Sequence, residues 1–97
     1  MDLLNKLEGF DWNKGNIKKN WVKHKANTKE TEEVFFNKPL FINFDQKHSK
    51  REKGFQVLGR TNKKRKLFIS FTVRKKKVRI ISARDMSKKE RRNYEKV

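Results

Sequence analysis

A regular alternation of apolar and polar residues runs from Lys66 to Arg74, and it is the strongest constraint on the fold. A strand turns successive side chains to opposite faces, so this segment predicts a strand with one face of Leu, Ile, Phe and Val. Phe55–Thr61 and Val78–Arg84 predict two further strands on either side of it. The connections, Asn62–Arg65 and Lys75–Lys77, are short enough to join the three strands into an antiparallel meander. Neither connection contains Gly, so loops longer than the primed two-residue turns are predicted.

Helical patterns dominate the first half of the chain. The segment Phe10–Trp12 alternates between apolar and polar residues, which predicts a short strand before the first helix. The segment from Asn13 to about Lys25 is predicted to be a helix, because its large apolar side chains recur at helical spacing. A second helix is predicted to begin at Asn27, which has capping-box spacing to Glu30. It is expected to end near Phe36, with the two preceding apolar residues packed inward.

The remaining elements complete the order along the chain. Pro39 is expected to stop the second helix, Leu40–Asp45 alternates like a strand, and Lys47–Lys53 is a polar loop. The capping box Ser87–Glu90 starts a last helix that runs to about Lys96. The predicted fold is therefore α+β, with N-terminal helices packed on an antiparallel β-sheet meander and a C-terminal helix. A length of 97 residues suits one domain, residues 1–97.

Positive charge is concentrated in the second half. The chain carries 28 Lys and Arg against 11 Asp and Glu, a net charge of +17. Residues 1–46 contribute +1 and residues 47–97 contribute +16, and every arginine lies after Gln46. Arginine holds phosphate with a planar pair of donors and stacks on bases, so the second half is predicted to bind a polyanion, with RNA as the first choice. The alternative is a solvated basic face that only keeps the chain soluble.

Composition argues against several classes of function. Ten Phe and Trp residues supply a core and argue against disorder. The absence of cysteine removes disulfides and thiolate chemistry. No apolar stretch suits a signal peptide or a membrane span, so a cytoplasmic protein is expected. His24 and His48 lack metal-ligand spacing, and there is no glycine-rich phosphate loop, so no metal or cofactor is expected.

RNA cleavage is the chemistry that these residues fit best. Attack by the 2′-OH of RNA on its own phosphate needs a base, an acid for the leaving oxygen, and donors for the charge that develops on the phosphoryl group. Arginines supply the donors without a metal, and His, Glu or Tyr can supply the base and acid. Arg74 and Arg84 lie on strands that a hairpin brings side by side. Four arginines are candidate phosphate clamps, unless they pair with the few acids: Arg60, Arg74, Arg79 and Arg84.

Two residues of the last helix have structural alternatives. Glu90 is either a catalytic base or a capping residue, and the capping box accounts for it fully. Tyr94 lies one turn later on the same helical face, where it either stacks on a base or donates a proton, or packs the helix against the rest of the fold. His48 is predicted to lie in a loop, and its ordinary pKa of about 6.5 suits proton transfer. The predicted RNA-binding residues are Arg79, Arg91, Lys63, Lys64, Lys76 and His48.

Several short motifs together resemble the BrnT family. They extend from about Phe10 to Glu95, which leaves residues 1–9 as an N-terminal extension, and the C-terminal block is the most specific. The motifs are Phe10-x-Trp12, Lys23-His24, Glu32–Phe36, His48-Ser49, Gly59–Thr61, Phe71-Thr72-x-Arg74 and Arg79–Tyr94. The resemblance implies a RelE-like fold and a ribonuclease toxin of a bacterial type II toxin–antitoxin pair that halts translation. It also implies a BrnA-type antitoxin with a ribbon-helix-helix domain as partner, expected in a heterotetramer.

The residues and the resemblance together predict a metal-independent endoribonuclease that cleaves messenger RNA, with or without the ribosome. Its predicted catalytic residues, in order of preference, are Arg74, Arg84, Arg60, Glu90 and Tyr94. A non-catalytic RNA- or ribosome-binding protein is the alternative, because charge supports binding equally well. A DNA-binding repressor fits less well, because the two adjacent predicted helices carry little positive charge.

Overall fold

The computed structural model describes residues 7–12, 26–45 and 54–96. The predicted helix from Asn13 to Lys25 and the predicted loop Lys47–Lys53 lie outside these residues. The elements are β1 Gly9–Phe10, α1 Thr28–Val34, β2 Phe41–Asp45, β3 Gly54–Arg60, β4 Lys66–Arg74, β5 Lys77–Asp85 and α2 Lys88–Glu95. Neither described helix is long and apolar enough to cross a membrane.

The strands form one five-stranded mixed sheet in the order β1-β5-β4-β3-β2. Strands β2 to β5 pair with their chain neighbours in antiparallel fashion, which confirms the predicted meander and extends it to β2. The sheet as a whole is mixed rather than antiparallel, because the short N-terminal strand β1 pairs parallel to β5, with Phe10 opposite Val78. This strand also ends earlier than predicted. Trp12 lies beyond it, where the indole nitrogen donates to the carboxylate of Glu32 at 2.7 Å.

The two connections within the meander differ from each other. The link between β3 and β4 is a longer loop, as predicted, and it closes through a hydrogen bond of 2.9 Å from the Thr61 amide to the Arg65 carbonyl. The link between β4 and β5 contradicts the prediction. Lys75 and Lys76 alone form the turn, with φ angles of 52° and 64°. These are the left-handed angles of a type I′ turn, which two lysines adopt here at a cost of about 1–2 kcal/mol each.

Helix α1 begins as predicted but ends early. Asn27 is the N-cap, and its capping box with Glu30 is complete. The helix ends at Val34, well before Pro39, so the proline is not what stops it. Instead, the side-chain amide of Asn37 donates two hydrogen bonds of 3.1 Å. One goes to the backbone carbonyl of Glu33 in α1, and the other goes to the backbone carbonyl of Arg60 in β3. This side chain satisfies one of the carbonyls left open at the helix end and ties the helix to the sheet.

One face of the sheet, here called the core face, carries Leu67, Ile69 and Phe71 of β4, all fully buried. Helix α1 packs on this face, and the ring of its C-cap residue Phe35 meets Phe71 edge to face, with ring centroids 5.3 Å apart. Gly59 permits the close approach of the helix. A Cβ at this position would lie 2.5 Å from a methyl group of Val34, a distance that real Cβ atoms do not tolerate. The expected inward packing of the apolar residues at the end of α1 is therefore confirmed.

The opposite face, here called the outer face, carries Phe68, Ser70 and Thr72 of β4. Helix α2 lies on it. Ser87 caps this helix with Glu90 in the predicted box, and Tyr94 packs its ring against Phe41 at a centroid distance of 5.6 Å. Each face of the sheet thus carries one described helix, and α2 covers only the Phe41 end of the outer face.

Candidate nucleic-acid interface

A β-bulge in β5 places two arginines on the outer face. Ser82 pairs with Ser70 and Ile80 pairs with Phe71, so Ile81 has no partner in β4. Arg79 and Arg84 are an odd number of positions apart and would face opposite ways in a regular strand. The extra residue restores them to one face, where they lie opposite Thr72 and Phe68 of β4. Bulges of this kind re-aim side chains and are common beside functional sites.

A row of uncharged polar residues crosses the sheet between these two arginines. The register places Ser82, Ser70, Gln56 and Asn43 side by side on four neighbouring strands. The two serines and the glutamine are half-buried. Hydroxyl and amide groups both donate and accept hydrogen bonds, so this row can meet the sugar or base edges of a nucleic acid. The row is bordered by Arg79 on one side and by the apolar end under α2 on the other.

Arg84 is held in one orientation by its neighbours. Its Nη1 and Nη2 atoms donate to the two carboxylate oxygens of Glu90 at 2.8 and 3.0 Å. The Nη1 atom also donates to the carbonyl of Asp85 at 3.0 Å, and the guanidinium lies 4.3 Å above the centre of the Phe68 ring. The Nε–H and the second Nη2–H have no hydrogen-bond partner among the described residues. These two donors form the other forked edge of the guanidinium, which is the edge that a phosphate accepts in pairs.

Glu90 is committed to structure in two ways. Its carboxylate accepts hydrogen bonds from Arg84 and from the backbone amide of Ser87, and the Arg84 contact is the main cause of its lowered pKa. A carboxylate with a lowered pKa is a weaker base. The contacts of Glu90 are those of a residue that caps α2 and orients Arg84.

Tyr94 is also engaged. The side chain is 4% exposed, its hydroxyl donates to the carbonyl of Pro39 at 2.6 Å, and burial raises its pKa, although the nearby positive charge of Arg60 opposes the rise. Arg60 is half-buried at the end of β3, opposite Lys66. The tyrosine thus fastens the last helix to the segment before β2, and its one hydroxyl proton is already donated.

The structure does not bring Arg74 and Arg84 together. Both lie on the outer face, but Arg74 ends β4 opposite Lys77, whereas Arg84 lies opposite Phe68. Six strand positions separate these places, which corresponds to about 20 Å. A single phosphate cannot contact both side chains at that separation. Arg79, expected only to bind RNA, lies closer to Arg84 and approaches the polar row from its other side.

The remaining predicted positions are spread around the sheet. Lys76 lies in the β4–β5 turn, whereas Lys63 and Lys64 lie in the β3–β4 connection at the other end, and Arg91 is exposed on α2. His24 and His48 lie outside the described residues. Among the residues that are described, no three His, Asp or Glu side chains are grouped so that they could hold a metal ion.

The bulge is the feature that the alternation argument missed, although the sequence carries a signal for it. Val78, Ile80 and Ala83 are all buried, and no regular strand can turn all three to one face. The apolar pair at positions 80 and 81, followed by Ala83, marks the change of phase. Ile81 itself is 45% exposed, as expected for the extra residue of a bulge.

Comparison with known families gives one result. A family model described as "Ribonuclease toxin, BrnT, of type II toxin-antitoxin system" matches residues 12–90, which include the arginine pair, the polar row and the first turn of α2. Among curated proteins, none is similar enough to count as a relative.

Proposed function

This chain belongs to the BrnT family of ribonuclease toxins of type II toxin–antitoxin systems, and we propose that it is a metal-independent endoribonuclease that cleaves messenger RNA and thereby arrests translation and growth. The observation that carries the proposal is the arginine pair of β5. Arg79 and Arg84 lie on one face because of the bulge, and a row of serines lies between them. Positive charge of the protein along the RNA backbone is enough for binding, and two arginines on one face of the sheet supply the donors that cleavage needs in addition.

The chemistry follows from this arrangement. The 2′-oxygen of one nucleotide attacks the adjacent phosphorus while the bond to the 5′-oxygen breaks, giving a 2′,3′-cyclic phosphate and a 5′-hydroxyl. Negative charge builds on the non-bridging oxygens as the new bond forms. The free edge of Arg84 donates to one of these oxygens, and Arg79 neutralises the charge from the opposite side. A base takes the 2′-proton and an acid protonates the 5′-oxygen. The proposed role of His48 is to bind the RNA.

The proposed roles of the other residues differ from the first expectation. Glu90 is a positioning residue, since it fixes the guanidinium of Arg84 before RNA arrives. A group that is already oriented loses little entropy on binding. Tyr94 and Arg60 support the C-terminal helix at the edge of the site. Arg74 binds the RNA backbone at the far end of the face, together with the lysines of the turn beside it.

The proposed fold class is RelE-like, and the proposed partner is a BrnA-type antitoxin with a ribbon-helix-helix domain in a heterotetramer. A toxin of this charge needs an inhibitor that covers the basic face, and an acidic segment would associate with it rapidly. Co-expression tests this: relief of growth arrest by the partner is expected, and arrest that persists in the presence of a soluble partner would contradict it.

Incubation with RNA tests the activity itself. The purified chain is mixed with naked messenger RNA in EDTA, and in parallel with translating ribosomes and messenger RNA. Products with a 2′,3′-cyclic phosphate are expected in at least one reaction, and cleavage in EDTA supports metal independence. Binding to RNA without cleavage in either reaction would overturn the proposal in favour of a non-catalytic RNA-binding protein.

A further inference from the structure

A basic cavity lies at the end of the sheet, next to Arg84. It has a volume of about 470 Å³, and we call it the end pocket. It lies between the β3–β4 connection, the end of β5 and helix α2. Its lining residues are Lys64, Arg65, Lys66, Asp85, Met86 and Arg91. Because the Nη1 atom of Arg84 donates to the backbone carbonyl of Asp85 at 3.0 Å, the pocket adjoins the proposed cleavage site.

Two of the pocket's four cations are neutralised within the fold. The Nε atom of Arg65 lies 2.8 Å from a carboxylate oxygen of Asp85, and its Nη1 lies 3.2 Å from Glu30 of α1. Lys66 forms an ion pair with Glu95 of α2. These contacts hold Arg65 and Lys66 in place and neutralise their charges, so neither is a strong binding group for an anion.

The other two cations, Lys64 and Arg91, are exposed, and their side chains have no hydrogen-bond or ion-pair partner within residues 7–12, 26–45 and 54–96. They come from separate elements, the β3–β4 connection and helix α2, and both line the same cavity. Glu95, whose pKa is lowered mainly by Lys66 and also by Arg91, partly compensates the charge of Arg91. The two cations on one concave surface still repel each other in the absence of an anion. This arrangement favours the binding of an anion between them.

The backbone at Lys64 gives a second, independent observation. Its φ angle is 68°, in the left-handed region where glycine is favoured, and its amide donates to the Thr61 carbonyl at 2.9 Å. A loop of this type ordinarily carries Gly at the left-handed position. A lysine there strains the backbone, and strain of this kind collects at functional sites. Lys64 therefore lowers the stability of this connection relative to glycine, as Lys75 and Lys76 do in the β4–β5 turn.

We propose that the end pocket is a second phosphate site, which binds a phosphodiester of the RNA strand flanking the scissile bond. The proposal rests on the proposed function for the identity of the polyanion. Arg91 offers a forked pair of donors to the phosphate oxygens, and Lys64 offers a mobile ammonium. Occupation of the pocket by one phosphate and of the Arg79–Arg84 face by another fixes the register of the strand.

The test measures binding separately from cleavage. The probe is a 2′-O-methyl RNA oligonucleotide, which lacks the attacking hydroxyl and cannot be cleaved. The pocket variant is Lys64→Gly with Arg91→Gln, and the matched control is Lys89→Gln with Arg92→Gln, two exposed residues of α2. Each pair removes one lysine and one arginine, so both proteins have equal net charge. Neither control residue lines the end pocket.

We expect the pocket variant to bind about tenfold more weakly than the unmodified chain, as suits the removal of charge-assisted hydrogen bonds. The slope of log affinity against log salt is expected to shrink by about 0.7 for each phosphate that the variant no longer binds. The control is expected to stay within about threefold, the effect of diffuse charge.

Equal weakening by the two variants would overturn the second site, since only net charge would then matter. Misfolding does not explain a loss in the pocket variant, because Gly relieves the strain at position 64 and the melting temperature is expected to stay or rise. If the unmodified chain cleaves no RNA but the two variants still differ in binding, the proposed function fails and the pocket remains. If the unmodified chain cleaves RNA but the two variants bind equally, the proposed function stands and the second phosphate site fails.

Discussion

Replacing Glu90 with Gln isolates the charge of the contact that orients Arg84. Glutamine keeps the shape of the side chain and still accepts the amide hydrogen bond of the capping box. It removes the negative charge opposite the guanidinium, where the two nitrogens and two oxygens lie 2.8 and 3.0 Å apart. The substitution therefore removes the ion pair while leaving the helix cap intact.

The magnitude follows from the geometry and the exposure of the pair. Two unit charges at about 4 Å attract by about 4 kcal/mol at an effective dielectric constant of about 20. The side chains are 37% exposed for Arg84 and 23% exposed for Glu90, so solvent screens much of this attraction. One hydrogen bond to the guanidinium survives in the variant. A net loss of about 1 kcal/mol remains, which lowers the melting temperature of a domain of this size by about 4–8 °C.

The loss is expected to depend on pH. The pKa of Glu90 is lowered in the folded chain, mainly by Arg84, so the ion pair stabilises the fold fully above the unfolded pKa of about 4.3. This stabilisation is lost as the pH falls through the folded pKa. Thermal unfolding of both proteins between neutral and acid pH measures it. The gap in melting temperature is expected at neutral pH and should close in acid.

A charge control completes the measurement. Glu8→Gln changes the net charge by the same amount at an exposed side chain, and it is expected to shift the melting temperature less. A gap for Glu90→Gln that stays constant down to acid pH would refute the ion pair as its source. So would an equal shift in the Glu8 variant, which would point to overall charge repulsion.

Three further outcomes follow from the fold. Lys75→Asn with Lys76→Gly should stabilise the turn by about 1 kcal/mol in chemical unfolding while weakening RNA binding, because the new residues suit left-handed angles but lack charge; a loss of stability would contradict the turn assignment. Gly59→Ala should destabilise the fold by about 1–3 kcal/mol, since its methyl group meets helix α1, and an unchanged unfolding midpoint would contradict that packing. Tyr94→Phe should lower stability by about 1 kcal/mol and leave the cleavage rate near that of the unmodified chain, whereas a large fall in rate at full stability would make the hydroxyl catalytic.

Local signals in the sequence were reliable where a short segment determines its own structure. Both capping boxes form as predicted, because an N-cap and its partner three residues later lie within one helical turn. The bounds of β4 match the alternation from Lys66 to Arg74. These elements require no knowledge of the rest of the chain.

Features set by distant contacts were not predictable in this way. The parallel pairing of β1 depends on contact with β5, and the end of α1 depends on an Asn37 side chain that reaches β3. The prediction for the β4–β5 turn was wrong because glycine preference describes the cost of a left-handed residue and not whether strand pairing can offset that cost.

The candidate site was accessible from the sequence only in part. Charge and arginine segregation indicated that the second half of the chain binds a polyanion. From the sequence alone, Arg84 could bind either a phosphate or an acidic side chain. The structure places Glu90 beside it as its acidic partner. Arg79 was predicted only to bind RNA, and it is the bulge that places it on the same face as Arg84. The sequence pattern did not show that Ile81 is an extra residue in β5, which shifts the pairing of this strand with β4 by one position.

Single-turnover cleavage of RNA by Arg79→Ala and Arg84→Ala tests the arginine pair most directly. The reference is Arg92→Ala, which removes an equal charge from an exposed position on α2. If the two arginines stabilise the same transition state across the polar row, Arg79→Ala and Arg84→Ala should each cleave about 100-fold more slowly than the unmodified chain at saturating RNA. The reference variant should cleave at nearly the unmodified rate. Equal rates in all three variants would contradict a phosphate site between Arg79 and Arg84.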